Sequence, residues 1–269
     1  MSATQMNLSD GAVILTTDST ADGGLEPSGL AYFGSKIYIA SDNGIVATMY
    51  ANGNSPTNVF TNPKSDGYGD FESITTNGNM LLVGVEGGDE DGKPTYAKVQ
   101  QFNTSTNTIS GYDWKLNDPK PGDNDGMEAL AYYSGSTYLT SFQCDKGVVY
   151  VYNLTSGNSG SGVDKQSTFK LPSPKSGGTY GLSDMYWHSG RQKLYALYDS
   201  GDHWLQELTL SVTNGVFSAV QTNLWLTPVY QGSSKDWEAC MFIGDNLYLG
   251  LDRSKSTANV VYVFPNFGT

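Results

Sequence analysis

With 269 residues, 32 Gly, 18 Tyr and only 16% charged side chains, the chain reads as many short strands joined by tight turns, not as long helices. A formal charge of −12 repels a phosphate backbone and so excludes nucleic acid as a partner. Nor is there an apolar run of about 18 residues, the length a membrane-spanning helix needs.

Residues 1–11 hold no basic segment followed by an apolar one, so no signal peptide is visible there. The lysine-poor, Asn/Ser/Thr/Gly-rich composition resembles that of secreted proteins, and the expectation is an extracellular or periplasmic monomer. Cys144 and Cys240 are too few for a disulfide framework; two buried or free thiols are expected, with a single bridge between them the alternative left open.

Ala12 to Thr16 is the first predicted strand, and it has no repeat unit of its own. From Pro27 onward a short pattern returns five times: Pro27-Ser28-Gly29-Leu30, Phe71-Glu72-Ser73-Ile74, Met127-Glu128-Ala129-Leu130, Leu182-Ser183-Asp184-Met185 and Trp237-Glu238-Ala239-Cys240. The Ser or Glu positions lie 44, 56, 55 and 55 residues apart, close to one fifth of the chain. Each pattern runs through a turn, such as Gly34-Ser35 or Asn77-Gly78, into a second strand: Lys36 to Ala40, Met80 to Gly84, Thr137 to Ser141, Lys193 to Leu197 and Asn246 to Gly250. A third strand follows in every unit, and a fourth in the first four.

Units of four strands at this spacing are the mark of propeller blades. The fifth unit runs out after three strands, so Ala12 to Thr16 is expected to complete it and close the ring. The reading is therefore an all-β, five-bladed β-propeller spanning residues 1–269 as a single domain. The segments from Asp89 to Pro94, Asp118 to Gly126, Ser156 to Asp164 and Pro172 to Gly178 read as surface loops.

The first strand of a propeller blade lines the central channel, so the pattern places Ser28, Glu72, Glu128, Ser183 and Glu238 in one ring. Three carboxylates converging in a narrow channel repel one another unless they are protonated or neutralised. An oxygen-liganded hard cation resolves this, and Ca²⁺, with 6–8 oxygen ligands, suits the set better than zinc, because the ring holds no His or Cys. The plainer alternative is that these side chains bond only to backbone amides or water.

The five patterns and their Ser, Glu, Glu, Ser, Glu order resemble the SdiA-regulated family of calcium-binding propellers, whose second strands also end in acids. Here those acids are Asp42, Glu86, Asp199 and Asp252, with Gln143 in the third unit. The resemblance implies the fold and the ion but no defined reaction. The order is also similar to that of the five-bladed calcium-activated nucleotidases (apyrases), which carry an arginine-rich stretch after the second strand of the third blade. This chain has Phe142-Gln143-Cys144-Asp145 there, which argues against a triphosphate site.

Three functions stay open at this point. The first is a calcium-stabilised binding module for a small molecule, glycan or protein at the channel mouth. The second is a calcium-dependent ester or phosphoester hydrolase, with Asp42, Glu86, Asp199 and His203 as catalytic candidates and Lys235 and Arg253 nearby. The acids have a simpler use as turn caps, as in Asp42-Asn43-Gly44. The third is a glycan-binding propeller using exposed tryptophans such as Trp114, Trp204 and Trp225, which serve equally to fill the wedges between blades.

Overall fold

The computed structural model describes residues 3–17, 25–61, 70–87, 89–90, 93–94, 96–119, 126–175, 180–198, 203–229, 237–252 and 259–269. Among these the only helical elements are short 3-10 turns, and no helix is long and apolar enough to cross a membrane.

Five sheets build five blades, and the fifth includes a strand from the N-terminal part of the chain. Blade 1 runs outward through Pro27–Phe33, Lys36–Ser41, Ile45–Met49 and Thr57–Thr61. Blade 2 follows with Phe71–Thr76, Leu81–Val85, Lys98–Asn103 and Thr108–Leu116. Blade 3 is Met127–Ser134, Thr137–Phe142, Val148–Asn153 and Ser167–Lys170. Blade 4 is Leu182–His188, Lys193–Tyr198, Trp204–Thr213 and Val216–Leu226. Blade 5 takes Trp237–Ile243, Asn246–Leu251 and Asn259–Phe264 from the end of the chain and Ala12–Thr17 from its beginning.

That last pairing bears out the expected closure. Ala12–Thr17 lies antiparallel to Asn259–Phe264, with Ala12 opposite Val263 and Thr17 opposite Asn259. Each inner strand packs on the next around the axis, and the fifth packs on the first.

The second strands, such as Lys36–Ser41 and Leu81–Val85, are apolar almost throughout because a neighbouring blade covers each of their faces. Five buried clusters correspond to the five wedges between blades. Between blades 1 and 2, for example, Ala31, Tyr38, Ala40 and Val46 meet Phe71, Ile74, Val83 and Phe102. The closing wedge is as apolar as the others: Leu15, Ala239, Met241 and Val261 of blade 5 pack on Leu30, Ile37, Ile39 and Met49 of blade 1.

Close approach at the axis demands small residues there. A Cβ on Gly29 would lie 2.6 Å from the Ile74 backbone nitrogen of the next blade. The Gly34-Ser35 hairpin turn has positive φ at both residues, the twist that matches flanking strands.

Two edge strands are absent from the sequence reading. Gly162–Val163, inside the predicted Ser156 to Asp164 loop, pairs parallel with Lys115 and Leu116 on the outer edge of blade 2. Thr4–Gln5 pairs parallel with Trp225 and Leu226 on blade 4. Both cover edges that would otherwise present unpaired backbone groups. Cys144 is exposed and Cys240 buried, and both are free. Trp114 and Trp204 are buried at 1% and 3% exposure, so of the two uses left open for them wedge filling is the one the structure shows.

Candidate metal centre

All five inner strands carry the same irregularity at the same place. The register shifts between Pro27 and Gly29, Phe71 and Ser73, Met127 and Ala129, Leu182 and Asp184, and Trp237 and Ala239. The skipped residues are Ser28, Glu72, Glu128, Ser183 and Glu238, the predicted ring. A β-bulge leaves its extra residue out of the ladder and re-aims its side chain. The repeated motif is thus the signature of five bulges at one level.

Ser28 and Ser183 are buried, and the three Glu residues are half-buried. The serines have backbone duties as well. Ser28 Oγ donates to the Glu26 carbonyl and accepts from the Asp42 N–H, both at 3.2 Å. Ser183 Oγ donates to the Trp237 carbonyl at 2.9 Å, tying blade 4 to blade 5 beside Glu238. Each hydroxyl oxygen keeps acceptor capacity beyond these bonds.

The carboxylates feel one another. Burial pushes the Glu72 carboxyl well above the usual range, and the charges of Glu128, Glu86, Asp42 and Glu238 push it further. Asp42 is raised from its ordinary value of 3.8 to about 8, first by burial, then by a hydrogen bond and charge from Glu26, then by Asp252 and Asp70. Its Oδ1 is buried without a hydrogen-bond partner. Acids from blades 5, 1, 2 and 3 therefore share one region. Glu86 is accommodated there by Gly126, where an added Cβ would lie 2.0 Å from Glu86 Cγ.

Sequence reasoning missed Glu26 and Asp70 as members of this group. Both stand two residues before a bulge residue, and Asp236, at the same offset in the fifth unit, lies outside the described residues. The other candidates fare differently. Asp199, Lys235 and Arg253 lie outside the described residues. Gln143 is exposed at the start of a 3-10 turn. His203 opens the third strand of blade 4 in a left-handed conformation, φ 52°. Its carbonyl accepts from both the backbone N–H and the hydroxyl of Thr227, each at 3.0 Å. That is a turn clamp, and no described bond links His203 to the acids.

Asp184, the residue after Ser183, is a further buried acid. Its carboxylate accepts from the Met185 N–H and, across the blade boundary, from the Cys240 N–H, both at 2.7 Å. Burial nonetheless holds its carboxyl well above the usual range. Because both oxygens serve as acceptors, an amide is no substitute. Asp184→Asn is expected to destabilise the fold by about 2 kcal/mol and Asp184→Ala by about 3 kcal/mol, each leaving buried N–H groups unpaired. Urea unfolding of the two variants checks this, and an Asn variant as stable as the parent would refute it.

No protein-family model matches the chain, and no curated protein matches it. The kinship expected with the SdiA-regulated family and with the nucleotidases therefore has no support from these comparisons. Several solved structures resemble it slightly. A putative 6-phosphogluconolactonase from Bacteroides fragilis is 13% identical with a TM-score of 0.48, covering 92% of this chain and 85% of that one. The β-propeller domain of Cps50 (Swd1) from Myceliophteria thermophila is 10% identical with a TM-score of 0.47, covering 85% and 69%. Glutaminyl cyclase from Myxococcus xanthus is 13% identical with a TM-score of 0.41, covering 72% and 73%. Likeness this slight says nothing of what the chain does, and the blade count rests on its own sheets.

Proposed function

We propose that the chain is a calcium-binding propeller whose ion sits at the bulge ring and stabilises a binding module. The observation that carries this reading is the coincidence of five bulges with five oxygen-bearing residues, three of them Glu. The donor set is all oxygen, which fits a hard cation and not zinc. Among the described residues, no three His, Cys, Asp or Glu side chains are grouped closely enough to hold a metal as they stand. An ion would therefore have to draw the Glu carboxylates inward. Glu72, Glu128 and Glu238 would supply charge, with the hydroxyl oxygens of Ser28 and Ser183 beside them. The ion's chemistry there is charge neutralisation. We also propose an extracellular or periplasmic placement, for which the expected affinity is that of extracellular calcium modules, roughly 10⁻⁴–10⁻³ M.

The test is thermal melting with calcium and with chelator, run beside a hydrolysis screen of carboxylic and phosphate esters. A ligand at about 100 times its Kd adds about 2.7 kcal/mol, or a shift of about 5–10 °C for a chain of this size. No shift would overturn the reading. Chelator-sensitive ester turnover would favour the hydrolase in place of the binding module.

The raised carboxyls add a pH signature. Asp42, raised to about 8, holds a proton in the folded state that it loses in the unfolded one between about pH 4 and pH 8, and Glu72 is shifted in the same direction. The stability that Asp42 contributes is full below about pH 4 and is lost as pH rises toward 8, and Glu72 adds to the same downward trend. In chelator, the melting temperature is expected to fall between pH 5 and pH 8. In calcium, which displaces those protons, the fall should shrink or reverse. An identical pH slope in both conditions would contradict it.

A further inference from the structure

The inner strands run side by side in one direction around the axis, so their beginnings gather the acids and their ends gather what lies four residues on. Those residues are Tyr32, Thr76, Tyr132, Trp187 and Phe242. Four residues of strand at about 3.3 Å each set them about 13 Å from the ring. All five line a cavity of about 310 Å³ at this end, Trp187 and Phe242 with most of their surface buried in the wedges behind it, and Leu30, Ile74 and Met185 are among its other lining residues. In a chain of net charge −12, none of the described residues lining it is charged.

The walls are held in place from behind. The Tyr133 ring packs on Trp187 at 4.8 Å and Tyr132 on Tyr138 at 5.4 Å. Tyr186 packs on Phe242 at 5.7 Å and donates its hydroxyl to the Phe242 carbonyl at 3.2 Å. Blade 2 interrupts this aromatic rim with Thr75, Thr76 and Asn77. Thr75 Oγ1 accepts from the Tyr132 N–H at 3.2 Å and keeps its own hydrogen to give. Asn77 fixes its amide by accepting from the Asn79 and Met80 N–H groups and donating to the Tyr138 hydroxyl at 3.1 Å, which leaves one amide hydrogen. The cup is therefore a rigid aromatic wall facing a polar one.

We propose that this cup binds one or two rings of a neutral carbohydrate. A sugar offers a C–H face for aromatic rings and an edge of hydroxyls for Thr75, Asn77 and the tyrosine hydroxyls. The volume falls at the small end of the range for ligand pockets. An anionic sugar meets no cation in the cup and an opposing net charge. A quaternary ammonium would find aromatic faces but no carboxylate, and would leave the polar wall unused. The site is separate from the acid ring and does not depend on an ion there.

The test is calorimetric titration and ligand-observed saturation-transfer NMR with glucose, galactose, mannose, N-acetylglucosamine, maltose, cellobiose and lactose, against glucuronate and choline. At least one neutral sugar is expected to saturate with a Kd on the order of millimolar or tighter. Tyr32→Ala, a change at a rim residue 38% exposed, should weaken it by about tenfold with melting unchanged. Thr75→Val should weaken the same sugar in a chain that still folds but, having lost the acceptor of the Tyr132 N–H, melts a few degrees lower. Absence of saturable binding by every neutral sugar, undiminished binding in both variants, or preference for glucuronate or choline would each overturn the proposal.

Discussion

Deleting residues 1–17 is expected to lower the melting temperature by about 10–20 °C, or to abolish cooperative melting altogether. The segment contributes the outer strand of blade 5, whose register with Asn259–Phe264 runs from Ala12 to Thr17. It also buries Leu15 in the closing wedge and Met6 against blades 4 and 5. The Tyr262 hydroxyl donates to the Leu8 carbonyl, and Asn259 Nδ2 donates to the Leu25 carbonyl just beyond the segment. Two buried apolar side chains at about 1.5–3 kcal/mol each, with the lost ladder bonds, bring the cost to about 5 kcal/mol. Against a typical total of about 5–15 kcal/mol that is a large share, and each kcal/mol moves the melting point by about 2–4 °C at this size. Calorimetry on the deleted chain is the check. A variant melting within a few degrees of the parent would show that the ring closes without this strand.

A second result with a large expected effect is a change of sign. Without calcium, Glu128→Gln removes one charge from a cluster in which Glu72 already feels Glu128 first among its charged neighbours. Relief of that repulsion is expected to stabilise the ion-free chain by about 1 kcal/mol, the scale of two charges 4 Å apart in water. With calcium the same substitution removes a ligand charge and is expected to destabilise by about 2 kcal/mol relative to the calcium-bound parent. Glu207→Gln is a contrasting control. Glu207 is served by Tyr195, Thr222 and Asn223 in blade 4, well away from the ring residues in sequence. Its loss should be destabilising in both conditions alike. Chemical denaturation of the variants in calcium and in chelator gives all four values. If Glu128→Gln has the same sign in both, the ring is not a cation site.

The five-fold architecture was readable in the sequence because each inner strand needs the same local device. A bulge at the axis calls for an oxygen-bearing side chain followed by a residue compact enough for the neighbouring blade, as Gly29, Ser73, Ala129 and Ala239 show. Asp184 breaks that compactness, and its reason lies 56 residues away in sequence, at the Cys240 N–H. No local pattern announces such a bond. Thr4–Gln5 and Gly162–Val163 were illegible for a similar cause: two-residue strands have no periodicity, and distant edges specify them. Glu26 was findable at the offset shared with Asp70, but it precedes the strand, where a pattern search on strand residues does not look. The tryptophans stayed ambiguous because a large ring reads alike whether it fills a wedge or faces solvent. Blade packing decided for the wedge at Trp114 and Trp204.

In the ring, architecture and chemistry have separate origins. Its geometry follows from bulges, which the fold imposes, whereas its electrostatics depend on what neutralises the acids. Equilibrium dialysis against Ca²⁺ with elemental analysis addresses that point most directly. The parent chain is predicted to retain one calcium ion per molecule. A Glu72→Gln/Glu128→Gln double variant, folded in chelator, is predicted to retain none. No calcium on the parent, or equal calcium on both chains, would contradict the assignment of the ion to this ring.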